Sequence, residues 1–288
     1  MPMADIHIGI IGGSGLYDMR DLTDRETVRL STPFGEPSSP IVTGMLGGRK
    51  VAFLARHGIG HVLTPSEVNY RANIHALRQL GVKFTLGVSA CGSLKAEIAP
   101  GDVVVPDQLL DFTRGPRKRS FFESGLVAHV GVAEPFCNYL RTVLLNAGGN
   151  SRVHGKGTFI TVEGPRFSTR AESALFRSWN VDIIGMTTSP EAFLAREAQM
   201  SYAVLAHVTD YDVWHTEPVS SDMVMQTFAR NIAHTKKTLA AAIAQIDEAT
   251  DTEAHHALET AVATAPTAIS SAVAERYATI FGRPLSRQ

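Results

Sequence analysis

The chain has 288 residues, 44% of them hydrophobic and 19% charged, with a formal net charge of −1, which suits a globular protein with a large core, built as one α/β domain or two small ones. The near-zero charge leaves no electrostatic footprint for a nucleic-acid or anionic-membrane partner, and no apolar run approaches membrane length. Two cysteines outside any CxxC pair, Cys91 and Cys137, argue against a zinc site or a disulfide framework, and with no signal-like opening the expected compartment is the cytoplasm.

Ile6–Ile11 reads as a buried first strand, and Gly12-Gly-Ser-Gly15 follows at once. Glycine amides and the Ser14 hydroxyl can approach an anion. The pattern is not GxGxxG, because Asp18 takes the third position, so a dinucleotide reading is weak and a tight turn without a ligand stays open. Ile41–Leu46 and Lys50–Leu54 predict a hairpin turned at Gly47-Gly48. Its second strand ends in Ala55-Arg-His-Gly58, where the Arg56 fork and His57 can both donate to an oxyanion. A surface arginine beside a structural histidine is the alternative. His61 follows, but without a third ligand a metal reading is weak.

Helical spacing runs over Pro65–Leu80 and closes at Gly81. Val82–Ser89 predicts another buried strand, leading to the small residues Ala90-Cys-Gly-Ser-Leu94, where a ligand can touch backbone. Cys91 reads as a small buried filler rather than a nucleophile, since no helper base stands near. Val103–Val105 is a short strand, and Asp111–Gly125 a long basic loop of the kind that lies over sites or at interfaces. Val153–Val162 predicts one strand. In the following Glu163–Arg170 stretch, Phe167 can stack on a flat ring or simply pack. Glu172–Trp179 is helical, Asp182–Ile184 is a short strand leading to Met186 and Thr187, and Glu191–Ala198 begins the next helix.

Tyr202–Val208 is an apolar strand followed by Asp210 and Asp212. Residues i and i+2 of an extended chain face the same side. Both carboxylates can therefore meet one pocket at the carboxyl end of a strand, where open α/β sheets bind ligands. A solvated acidic turn is the alternative. Ser220–Met223 reads as a helix cap and Val224–Ala244 as a long helix. The Ala-rich tail reads as two helical pieces, Glu253–Thr264 and Ala268–Phe281. The fold class is α/β: a single domain with a mixed, largely parallel central sheet flanked by helices. Residues 1–248 would form the catalytic domain and 249–288 a C-terminal helical extension.

Ser14, Arg56, His57 and Thr187 stand at strand ends and together make a phosphate site with one permanent cation. Phe167, Asp210 and Asp212 make a purine site. Phosphate beside a purine points to phosphorolysis of a nucleoside. Other readings stay open: a nucleotide-binding module without catalysis, or a hydrolase of similar fold.

The stretches Ile8–Leu16, Leu54–Gly58, Val68–Asn73, Ala90–Leu94, Ala133–Cys137, Glu163–Phe167, Met186–Thr188, Pro190-Glu191 and Thr209–Asp212 resemble, in order, the trimeric purine nucleoside phosphorylase family, in the branch that acts on 5′-methylthioadenosine. The resemblance runs from about Ile6 to Ile246. It implies a phosphate held at Ser14, Arg56, His57, Ala90 and Thr187, and a ribose contact at Met186. The base would lie between Phe167, Asp210 near N7 and Asp212 near the 6-amino group. Ser221 and Val224 would line the 5′ pocket, with His129 reaching in from a neighbouring subunit of a homotrimer, or of a dimer of such trimers. Family members that take 6-oxopurines carry Asn at the base, so the carboxylate favours adenine. Gly185 stands where the animal enzymes of this branch have Asn, and Ser221 where they have an apolar residue. Activity on adenosine, 5′-deoxyadenosine or 6-oxopurine nucleosides is the alternative within the family. Asp210 would protonate N7 while phosphate attacks C1′. The resemblance implies no metal and no organic cofactor, phosphate being a co-substrate.

Overall fold

A computed structural model describes residues 6–13, 22–148, 152–215 and 220–282. Its strands are β1 (Ile8–Gly12), β2 (Thr23–Val28), β3 (Ile41–Leu46), β4 (Arg49–Ala55), β5 (Phe84–Ser93), β6 (Val103–Val104), β7 (Gln108–Phe112), β8 (Val153–His154), β9 (Thr158–Val162), β10 (Ile183–Gly185) and β11 (Ser201–Asp210). The helices are α1 (Tyr70–Gln79), α2 (Asn138–Ala147), α3 (Arg170–Ser178), α4 (Thr188–Glu197), α5 (Ser221–Gln245) and α6 (Ser271–Phe281). One sheet runs β2-β3-β4-β1-β5-β10-β9-β7, with β11 on β5 and β6, and β8 on β6. Parallel pairing of β1 with β4 and β5, and of β5 with β11, forms its centre. The mixed, largely parallel α/β architecture expected from the sequence is present.

Strand residues alternate between two cores. Along β11, Val204 and Ala206 pack with α1, α4 and α6 on one face, while Ala203 and Leu205 pack with α2 and α5 on the other. The β3–β4 hairpin turns at Gly47 and Gly48, both with positive φ (58° and 77°), as a two-residue turn requires. No described helix is long and apolar enough to cross a membrane.

Several boundaries differ from the sequence reading. Val153–Val162 is two strands, because β8 pairs with β6 whereas β9 pairs with β7 and β10. The loop expected over Asp111–Gly125 begins inside β7, whose edge position leaves its polar residues exposed. The helix expected from Pro65 starts only at Tyr70, capped by Asn69, whose side chain accepts from the Ala72 amide. Glu253–Thr264 is not a helix. A 3-10 turn covers Glu253–His256, and His129 and Ala263 spend their amides on a backbone bridge between 127–129 and 261–263. The α6 helix does form, and buried Tyr277 gives its hydroxyl to the Phe121 and Glu123 carbonyls. The described part of the tail, through Gly282, therefore packs on the body of the chain.

Three imidazoles, His57, His75 and His207, are buried, and burial lowers each from 6.5 to about 4. Between those values the unfolded chain holds more protons than the folded one. Stability therefore rises with pH across that window and is lost as pH falls from 6.5 towards about 4. Urea midpoints measured across it should decline steadily with acid, and His75→Leu should flatten part of the decline. A flat wild-type profile would mean that these rings are not held neutral.

Candidate active site

The cavity opens where the sheet divides. β11 pairs with one edge of β5 from Phe84 to Gly92. On the other edge β1 pairs only as far as Gly87, and β10 joins at Gly92. No described strand covers that edge between them, and Ser89, Ala90 and Cys91 there line a cavity of about 360 Å³. Of the small residues expected to follow a strand, Ala90–Ser93 are in fact inside β5, and only Leu94 follows it.

Arg56, His57, Ala90 and Thr187 all line this cavity. Ser14 lies outside the described residues. Arg56, at the end of β4, is only 1% exposed and its fork is already occupied. Nε and Nη2 donate to the Glu191 carboxylate at 2.7 Å each, Nη1 donates to the Val88 carbonyl at 2.9 Å, and Nη2 also reaches the Ile11 carbonyl at 3.3 Å. Among the described residues, one Nη1 hydrogen has no partner and is available to a ligand. His57 Nδ1 lies 2.9 Å from the Leu63 carbonyl, which can only accept, so that nitrogen carries a proton. Burial and the Arg56 guanidinium lower the ring to about 4. His57 is thus neutral at neutral pH, with Nε2 an acceptor. That corrects the expectation of a paired Arg and His donor clamp: the arginine's charge is balanced by Glu191, and the histidine's proton is committed to backbone. Thr187, buried, is the N-cap residue of α4, and its side chain makes no capping bond.

Asp210, Asp212 and Phe167 line the same cavity, and so do Met186 and Gly92. The two carboxylates converge by a different route from an extended strand. A bulge shifts register between Val208 and Asp210, and Asp212 opens a 3-10 turn at φ 49°. Asp210 is 6% exposed and Asp212 4%. Asp210 accepts from the Thr209 hydroxyl at 2.7 Å and the Asp212 amide at 2.8 Å. These bonds favour the carboxylate, but burial outweighs them and raises its pKa. Burial raises Asp212 as well. The cavity therefore pairs a carboxyl group with raised proton affinity at one wall with buried donors at another.

Gly92 makes room for this arrangement: a Cβ there would lie 2.8 Å from Asp210 Oδ1. Gly92→Ala should therefore turn the carboxyl group, and a reaction that uses Asp210 should slow roughly 10²-fold, as it does when a reacting group is misplaced. Turnover equal to wild type in a folded Gly92→Ala protein would show that Asp210 tolerates displacement.

Three residues absent from the sequence-derived site hold its walls. Glu191 binds Arg56 and accepts from the Tyr202 hydroxyl at 2.7 Å. In sequence it stands within one of the stretches that carry the family resemblance, Pro190-Glu191, but nothing there marks its partner. Arg117 comes from the basic loop, and no local pattern marks it. It donates to the carbonyls of Met186 (2.6 Å) and Ser189 (3.1 Å) and to Glu163 Oε1 (2.8 Å). Glu163 also accepts from the Arg114 and Gly115 amides, so the loop is fastened to the segments carrying Met186 and Phe167. Ser221, Val224 and the exposed Met225, on the first turns of α5, line the remaining wall. His129 is exposed and does not line this chain's cavity, and its amide bonds to the Ala261 carbonyl.

Residues 7–244 match the family described as the Phosphorylase superfamily. The chain is 52% identical over 280 residues to the S-methyl-5′-thioadenosine phosphorylase of Chloroflexus aurantiacus, covering 96% of this chain and 97% of that one. It is 51% identical over 241 residues to the enzyme of the same name from Hyperthermus butylicus, covering 83% and 88%. Among solved structures, a methylthioadenosine phosphorylase from an antarctic soil metagenomic library matches with a TM-score of 0.90 at 46% identity, over 96% of this chain and 99% of that one. The methylthioadenosine phosphorylase of Schistosoma mansoni, in complex with adenine, matches with a TM-score of 0.81 at 41% identity, over 85% and 93%. With that coverage added to the geometry, the chain belongs to the Phosphorylase superfamily.

Proposed function

We propose that this protein is an S-methyl-5′-thioadenosine phosphorylase, releasing adenine and 5-methylthioribose 1-phosphate. The observation that carries the proposal is the buried Asp210 carboxyl, its pKa raised, in one cavity with Arg56, His57 and Thr187. The near-full-length relatives of that name support it. Protonated Asp210 gives its proton to N7, which makes adenine a better leaving group, and Asp212 accepts from the 6-amino group. Phe167 stacks on the base and Met186 packs on the ribose. Phosphate sits against Thr187, the Ala90 backbone and the remaining Arg56 N–H, with Ser14 as a further donor. A protonated phosphate oxygen donates to His57 Nε2, and an unprotonated oxygen attacks C1′ from the face opposite the base.

Gly185 bears on base choice through packing. A Cβ at this position would lie 2.6 Å from the Phe159 ring, so the missing side chain is explained by Phe159 and need not signal a 6-oxopurine substrate. Ser221 and Val224 flank the 5′ substituent. His129 serves a neighbouring subunit of a homotrimer, the enzyme works in the cytoplasm, and phosphate is the sole co-substrate. Neither cysteine forms a disulfide, which suits a reducing compartment.

The test is adenine release from methylthioadenosine with and without phosphate, with adenosine and inosine in parallel. Phosphate-dependent release, fastest with methylthioadenosine, is the expected result. A preference for inosine would overturn the base assignment, and phosphate-independent release would indicate a hydrolase.

A further inference from the structure

Glu191 and Tyr202 lie beneath the cavity rather than among its lining residues, yet Glu191 holds the buried Arg56 guanidinium that lines it, and Tyr202 bonds Glu191. Arg56, Glu191 and Tyr202 are 1%, 1% and 2% exposed. Both Glu191 oxygens meet Arg56 at 2.7 Å, and Tyr202 adds a hydroxyl to Oε1 at 2.7 Å. The backbone is cut to fit them: a Cβ on Gly87 would lie 2.2 Å from the Tyr202 hydroxyl oxygen and 3.3 Å from Glu191 Oε1. A fully buried ion pair is weak support for stability, since apolar residues of similar volume often serve as well. The pair instead joins the end of β4 to the first turn of α4, whose N-cap is Thr187. Arg56 and Thr187, two of the side chains offered to the anion, are therefore linked through Glu191.

We infer that Glu191 and Tyr202 are positioning residues for the anion site, acting through Arg56. The inference rests on reading that site as the phosphate site. Glutamine in place of Glu191 keeps the shape but opposes an NH₂ to one arm of the guanidinium, so the planar fork must turn. Phenylalanine in place of Tyr202 removes a single hydroxyl and keeps the ring stacked on Phe136.

The experiment is steady-state adenine release from methylthioadenosine, with the KM for phosphate and the KM for nucleoside measured separately on wild type, Glu191→Gln, Tyr202→Phe and the double variant. Charge-assisted bonds predict a rise in phosphate KM of roughly 10- to 100-fold for Glu191→Gln and roughly 2- to 10-fold for Tyr202→Phe. Nucleoside KM should stay within about twofold. The double variant should be no worse than Glu191→Gln alone, because the hydroxyl acts through the carboxylate. Should Glu191→Gln fail to fold, Tyr202→Phe decides. An unchanged phosphate KM in a folded variant, or equal changes in both KM values, would overturn the inference while leaving the phosphorylase reading intact. Wild-type release without phosphate dependence would overturn both.

Discussion

Asp210→Asn should lower kcat for adenine release roughly 10²–10⁴-fold, the range that general acid assistance supplies. The variant should fold normally. Asparagine keeps an oxygen to accept from the Asp212 amide, and the Thr209 hydroxyl, which now donates to Asp210, can rotate to accept instead. What is lost is the proton. Burial raises the Asp210 pKa, so its acid form persists to higher pH than in an exposed aspartate. The wild-type rate should therefore fall as pH rises through that value, and the variant should lack this limb. Measurement of kcat against pH at saturating phosphate and nucleoside, with circular dichroism as the folding control, checks both parts. Full activity in the variant would remove Asp210 as the acid and leave Asp212 or solvent.

The second large effect concerns stability. Arg56→Ala should destabilise the fold by roughly 3–5 kcal/mol, because it leaves the Glu191 carboxylate buried without its counter-charge. The Val88 and Ile11 carbonyls lose their donor at the same time. Urea unfolding gives the value. The double variant Arg56→Met/Glu191→Leu removes both charges and fills a similar volume, so it should recover most of that loss. It should not recover phosphate-dependent turnover. A single variant as stable as wild type would mean that Glu191 finds another partner or takes up a proton. A double variant that turned over phosphate normally would remove Arg56 from the anion site.

Much of the architecture was legible in the sequence because its causes are local. Ile8–Ile11, Phe84–Val88 and Val204–Val208 are mostly apolar, broken by Thr85 and His207, and buried at every position because both faces of the central strands are covered. Gly47-Gly48 and the Ser220 cap are short-range devices that act within their own turns. The same logic hid β2, whose exposed edge residues, Thr23–Thr27, carry no apolar signal.

The chemistry of the cavity divides along the same line. By itself the sequence nominated the side chains, from residue type and from their place after strands: Arg56, His57, Phe167, Thr187, Asp210 and Asp212 all line the cavity, and Ser14, named on the same grounds, lies outside the described residues. Only the tertiary structure decided their states. Arg56 meets Glu191 across 135 positions of chain, a pairing that no local pattern encodes. The His57 proton is committed by the course of the 57–63 loop, and Asp210 holds its proton more tightly because the sheet and its helices exclude water. Residue identity is inscribed locally, whereas partner, protonation and solvent access are properties of the packed whole.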